Sequence, residues 1–327
     1  MNNFKSFRNL VINPEEQKIL LSKIENSEQE QDMTLPANCN GFGRIRHFNK
    51  YVADDWISDP LPIEPALKYL SLDSADKLIA QVFQIAICNL KCWYCFVPEI
   101  LRCANKATSK WFSADEMLDM YESEKLKAPM IDLSGGNPEL APEWIVYMMK
   151  AIRKKNLENV FLWSDNSLIT DFFFSVLSKS DLNFIKEYKG YGQVGCFKGF
   201  DEESFSFNSG LPSEYFDFQF EHFKKFIDFG IDMYGYVTLT TPTLDKIDSK
   251  ISNFMDRLQK IHPLIPLRFV PLKIFTFSPV VKRLDPIKSN ALEYQQVAIK
   301  CWAEELSKRF TKSELSENIA NVNIFNK

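Results

Sequence analysis

From Gln81 onward the chain alternates short apolar runs with amphipathic helical stretches, and this alternation constrains its fold more than any other feature. The runs expected as strands are 81–88, 130–134, 159–164, 193–198, 233–240 and 267–275. The stretches expected as helices are 113–126, 142–155, 170–178, 213–229, 245–261 and 290–309. Such alternation is the signature of parallel strands joined by crossover helices. Ser113 precedes Glu116 at capping-box spacing, and Gly230 stands where a glycine would end the fourth helix. Six successive βα units either close into a partial barrel or lie open as a doubly wound sheet; in both, ligands bind at the C-terminal strand ends.

Residues 1–80 read differently, as a polar, charged helix over about 14–31, then irregular sequence with Gly41, Gly43 and a proline-rich stretch at 59–65. They are expected to form a cap or extension, with 81–327 as the catalytic body. At 327 residues and 45% hydrophobic content, the chain is large enough to bury one extensive core. The 28 phenylalanines, concentrated on the helices, are expected in that core. A net charge of −4 leaves no basic excess for a phosphate backbone, so nucleic acid is not an expected partner. No stretch approaches the roughly 18 apolar residues of a membrane span, and the first residues lack the apolar run of a signal peptide. The expected location is cytoplasmic. Seven cysteines, three of them within eight residues, suit metal ligation in a reducing compartment better than a disulfide framework.

Cys88, Cys92 and Cys95 fall in one loop after the first expected strand, separated by three and then two residues. Soft thiolates in this pattern favour an iron–sulfur cluster or zinc. Three ligands to a four-iron cube leave one iron open to another group. A zinc site needs a fourth ligand; Cys103 is available, but zinc ribbons carry two paired Cys-x-x-Cys knuckles and this chain has one. After the second expected strand comes Leu133-Ser134-Gly135-Gly136-Asn137-Pro138-Glu139-Leu140, whose glycines allow close backbone approach and positive φ.

The loop Cys88-x-x-x-Cys92-x-Tyr94-Cys95 resembles the signature of the radical S-adenosylmethionine (SAM) superfamily, and Gly135-Gly136-Asn137-Pro138 is similar to its Gly-Gly-Glu-Pro motif, with Asn137 where Glu is usual. The resemblance implies a partial (β/α)6 barrel with an N-terminal extension. It also implies a 4Fe–4S cluster on Cys88, Cys92 and Cys95, with SAM cleaved to a 5′-deoxyadenosyl radical that abstracts hydrogen from substrate. Tyr94 would pack near the adenine, and the turn Gly135, Gly136, Asn137 and Pro138 would meet the methionine amino group. Asp165, Asn166 and Lys198, at the ends of the third and fourth expected strands, resemble turns of the glycyl-radical activating enzymes that handle the cofactor's carboxylate and ribose. Cys196 stands where those enzymes carry Asp. Residues 59–70 resemble the lead-in of the AmmeMemoRadiSam group. An electron donor such as flavodoxin or ferredoxin is implied as partner.

Three functions follow as expectations. The first is a radical enzyme acting on a small molecule or nucleoside, with Trp163, Tyr234 and Tyr236 as rim aromatics and residues 1–80 closing the pocket. The second is an activase that generates a radical on a partner protein through an open barrel mouth. The third is a non-enzymatic zinc-binding module.

Overall fold

The computed structural model describes residues 2–51 and 58–325, so the parts of the expected extension at 1 and 52–57, and the last two residues of the expected catalytic body, lie outside the described residues. In chain order the strands are β1 (Ile12–Asn13), β2 (Lys18–Ser22), β3 (Gly43–Asn49), β4 (Lys77–Gln84), β5 (Ser109–Ser113), β6 (Met130–Ser134), β7 (Phe161–Asn166), β8 (Tyr191–Phe197), β9 (Met233–Thr238) and β10 (Phe269–Leu272). Seven of them form one sheet in the order β10-β9-β8-β7-β6-β4-β3. Neighbours from β4 to β10 are parallel, and β3 adds to the edge of β4 antiparallel. Short β1, β2 and β5 form a separate three-stranded sheet.

Strand residues alternate between two cores. On one face Phe83, Leu133, Leu162, Phe197, Val237 and Phe269 pack with the helices, among them Trp144, Phe216, Phe223 and Phe254. The phenylalanines are core here: the ring of Phe197 sits 5.0–5.7 Å from those of Phe220, Phe223, Phe254 and Phe269. On the other face Phe48 of β3, Met130, Trp163, Tyr234 and Val270 of β10 join one cluster, so the two edge strands curl toward each other. The fold is a half-barrel of six parallel strands with helices on its convex side. The helix Ala114–Ser123 starts on the expected Ser113–Glu116 capping box, and the helix Tyr215–Phe229 ends on Gly230 at φ 102°. The helix expected at 170–178 is the shorter Phe172–Val176, and an unexpected second helix, Lys179–Glu187, follows it.

The N-terminal segment departs from expectation. In place of a helix over 14–31, a turn at 14–17 with Gln17 at φ 53° leads into β2, which pairs with β5 along five residues. The reason is the consecutive Ile19-Leu20-Leu21, all buried, which a solvent-facing helix would expose in part. Only Glu28–Gln31 is helical. The expected boundary at residue 80 falls inside β4, and β3 pairs with β4 over seven residues.

Two features enclose the concave side. At the N-terminal strand ends, Leu61, Ile63, Ala66 and Leu67 pack into the inner cluster as a floor, with the Tyr236 hydroxyl 3.0 Å from Asp59 Oδ2 and 3.1 Å from the Leu61 carbonyl. At the C-terminal ends, the open seam between β3 and β10 is bridged. Asp32 accepts hydrogen bonds from the Ser278 amide and hydroxyl, both 2.8 Å, and Lys282 pairs with Glu28 at 2.8 Å. Gln29, buried, makes a reciprocal amide pair with Gln84 at the end of β4 (3.1 and 3.2 Å).

Candidate active site

The three cysteines lie just past the end of β4, in a loop whose backbone is held by side chains from distant elements. Arg102 donates to the Leu90 carbonyl (2.9 Å), and Arg283 donates to the carbonyls of Cys95 (2.6 Å), Val97 (3.2 Å) and Trp93 (3.3 Å). The Trp93 indole donates to Asn208 Oδ1 (3.0 Å), and Asn208 donates in turn to the Thr240 carbonyl (2.9 Å). All three cysteines are free thiols. Burial, then the neighbouring Cys92 and Cys95, pushes the Cys88 thiol up to about 12. Burial also raises Cys92, against the opposing influence of Lys198. Burial first, and neighbouring thiols second, disfavour the ionised form of Cys88, and a bound cationic group would favour it.

The glycine turn docks directly onto this loop. Gly135 and Gly136 have φ of 68° and 53°. A Cβ at Gly136 would lie 2.3 and 2.4 Å from the carbonyl oxygens of Ile85 and Ile87. The Asn137 amide donates to the Ile87 carbonyl (2.7 Å) and its side chain donates to Asn89 Oδ1 (2.7 Å). Ser167, after β7, donates to Asn137 Oδ1 (3.0 Å) or Glu139 Oε2 (2.5 Å), and the Thr170 amide also donates to Glu139. Pro138 opens the short 3-10 turn Pro138–Leu140. The loops after β4, β6 and β7 are thereby one bonded unit.

On the concave face, Ser134 donates to Asp165 (2.5 Å), and buried Asp132 pairs with Arg46 at 3.5 Å. Burial and Asp165 hold the Asp132 carboxyl well above the usual carboxylate range, against the pull of Arg46 and Arg44. The Tyr94 hydroxyl lies 3.1 Å from Thr238 Oγ1. Lys198 has no carboxylate partner among the described residues; burial lowers its pKa, but Tyr94 and the thiols of Cys196, Cys92 and Cys88 outweigh it and raise the group overall.

The structure thus brings Cys88, Cys92, Cys95, Tyr94, Lys198 and the turn Gly135, Gly136, Asn137 and Pro138 to one end of the half-barrel. Asp165 lies beside Asp132 on the concave face. Asn166 is spent in its own turn, accepting from the Leu168 amide (2.7 Å). Trp163, Tyr234 and Tyr236 are not rim residues; at 1%, 0% and 5% exposed they form the interior packing against the floor. Cys103 is exposed, its thiol 3.7 Å from the Ile100 carbonyl. Sequence reasoning missed Arg44, Arg46, Asn89, Arg102, Glu139, Asn208 and Arg283. Only the first pair had a signal, the period-two Arg-Ile-Arg-His-Phe of β3. Among the described residues no three His, Cys, Asp or Glu side chains converge on one metal-ion position.

The family model described as "Radical SAM superfamily" matches residues 84–252, more than half of the chain and including both motifs. The chain belongs to the radical SAM superfamily. It is therefore an enzyme, not a zinc-binding module, and the family implies SAM and a 4Fe–4S cluster as cofactors. No curated protein matches it. Similar solved structures include SuiB of Streptococcus suis bound to S-adenosylmethionine, 15% identical with a TM-score of 0.43, covering 67% of this chain and 47% of SuiB. They also include anSMEcpe with bound AdoMet (18%, TM-score 0.37, 52% of this chain and 45% of that one). TYW1 with a lysine-pyruvate adduct bound is a third (14%, TM-score 0.38, 59% and 65%). The chain spans less than half the length of SuiB and anSMEcpe. Among the described residues no helix is long and apolar enough to cross a membrane.

Proposed function

We propose that this enzyme acts on a small-molecule or nucleoside substrate inside the half-barrel. Cys88, Cys92 and Cys95 would hold the cluster, which would supply the electron for reductive cleavage of SAM and so the means of abstracting hydrogen from substrate.

The residues fit these cofactors. Cys88, Cys92 and Cys95 supply three soft ligands. Asn89 Nδ2 is buried without a partner at the junction of the two loops, a donor awaiting an acceptor. Lys198 lacks a carboxylate among the described residues, and a cofactor carboxylate would satisfy it. Tyr94, tied to Thr238, presents its ring near Lys198 and is assigned to the adenine. The turn Gly135–Pro138 is assigned to the methionine amino group through its main chain, because the Asn137 side chain is already spent on Asn89 and Ser167. Asp165 is assigned to polar cofactor groups, and Asn166 contributes main chain only. An electron donor of the flavodoxin or ferredoxin class would serve the cluster.

One observation favours a small substrate over a partner protein. Asp32–Ser278 and Glu28–Lys282 bridge the seam beside the cysteine loop while the segment from Asp59 to Leu67 closes the floor, the enclosure that a pocket for a small substrate needs. The enclosure also limits water and reductant at the reaction centre. The test is 5′-deoxyadenosine release by the reduced, reconstituted protein, with product lost in Cys92→Ala. Deuterium transfer into that product from a labelled small-molecule filtrate of cell extract supports the reading. Transfer only from the protein fraction overturns it in favour of an activase.

A further inference from the structure

Arg44 and Arg46 alternate along β3 on the face that carries Phe48, so both guanidinium groups enter the concave side. Their circumstances differ. Arg46 is partly buried, its side chain 31% exposed, pairs with Asp132 and lies over the Phe48 ring at 4.3 Å. Arg44 is 7% exposed, and its Nε is buried with no hydrogen-bond partner. Among the described residues no carboxylate pairs with Arg44; the Phe96 ring, 5.3 Å from its Cζ, offers a π face but no acceptor. Of the carboxylates nearby, Asp165 bonds Ser134, Asp59 bonds Tyr236 and the Leu61 amide, and Asp132 meets Arg46 through one oxygen at 3.5 Å while its Oδ1 is buried with no partner. Burial and the adjacent Arg46, against the opposing influence of Asp132 and Asp165, bring Arg44 down to about 10, so it is still charged at neutral pH.

A buried guanidinium with no hydrogen-bonded acceptor is costly even where carboxylates lie in its neighbourhood, and a planar fork of donors matches a carboxylate or phosphate. We propose that Arg44, assisted by Arg46, binds an anionic oxygen group of the substrate, which makes the substrate a nucleotide or a carboxylate-bearing small molecule. This rests on the reading that substrate occupies the half-barrel. Two facts assign the anion to substrate and not to the cofactor. β3 precedes residues 84–252, the part of the chain shared with the family, where cofactor machinery is held in common. Lys198, beside the cysteine loop, is already available to the cofactor's carboxylate.

The test follows thermal unfolding of the reconstituted protein in inorganic phosphate or acetate against chloride at equal ionic strength, with and without SAM. Stabilisation beyond chloride is expected, persisting when SAM is saturating. Arg44→Gln should weaken the apparent anion affinity at least about tenfold. Arg153→Gln, at an exposed arginine on the outer face, should leave it unchanged. Arg44→Lys preserves charge without the fork and should weaken it several-fold, which keeps the test decisive if the glutamine variant does not fold. No anion effect in the wild type, an effect undiminished in Arg44→Gln or Arg44→Lys, or mutual exclusion of phosphate and SAM would each overturn the proposal. The readout needs no turnover, so failure of SAM cleavage, seen as absent 5′-deoxyadenosine, is a separate result.

Discussion

Gly136→Ala should sever the glycine turn from the cysteine loop, and its cost can be worked from two contributions. Placing a Cβ at φ 53° forces an L-residue into the left-handed region, about 1–2 kcal/mol. The same Cβ meets the Ile85 and Ile87 carbonyls at 2.3 and 2.4 Å, and backbone cannot step aside as a side-chain tip would, so overpacking adds about 1–3 kcal/mol. The total is about 2–5 kcal/mol. Gly230→Ala is the matched control: φ is 102°, yet the nearest atom to its Cβ is Lys186 Cε at 3.4 Å, so the backbone contribution stands alone. Urea unfolding of both apoproteins should therefore differ by about 1–3 kcal/mol. Because Ile87 precedes Cys88, Gly136→Ala should also lose iron on reconstitution while Gly230→Ala retains it. Equal stabilities in the two variants, or full iron content in Gly136→Ala, would refute the reasoning and reduce Gly136 to an ordinary turn residue.

Other expectations concern the supports of the site. Arg283→Ala removes contacts to the carbonyls of Trp93, Cys95 and Val97, and should cost about 1.5–3 kcal/mol and speed loss of iron and sulfide to a chelator; an unchanged loss rate would rule out that clamp. Asp132 is pushed up to about 7 by burial and Asp165, so its neutral form favours folding. Its stabilising contribution is complete below the unfolded value near 4 and is lost as pH rises through the folded one. Asp132→Asn should accordingly gain on wild type in urea midpoint between about pH 4 and 7, and a gap that does not vary with pH would contradict this.

The succession of strands and helices follows from local pattern, because burial of parallel strands on both sides leaves apolar runs such as Phe161-Leu162-Trp163. The capping box at Ser113 and the glycine after Phe229 are equally local, and both ends fall within three residues of expectation. Patterning failed where pairing is non-local. Lys18–Ser22 is paired along its whole length by β5, far along the chain, and at one end by β1. The run Ile19-Leu20-Leu21 is the one local sign of a strand there, set among charged and polar neighbours.

The same division runs through the site. The spacing of Cys88, Cys92 and Cys95, and the Gly-Gly-Asn-Pro turn, were enough to identify a cofactor-cleaving family, since ligation and close backbone approach depend on short-range sequence. What encloses that chemistry depends on segments far apart in the chain. The contacts of Asp32 with Ser278, of Arg283 with the cysteine loop, and of Tyr236 with Asp59 each join residues more than 170 positions apart. Only the curled sheet brings Arg44 from the N-terminal segment into the same interior as Lys198, because a buried guanidinium whose Nε lacks a hydrogen-bonded partner is a product of packing and not of local sequence.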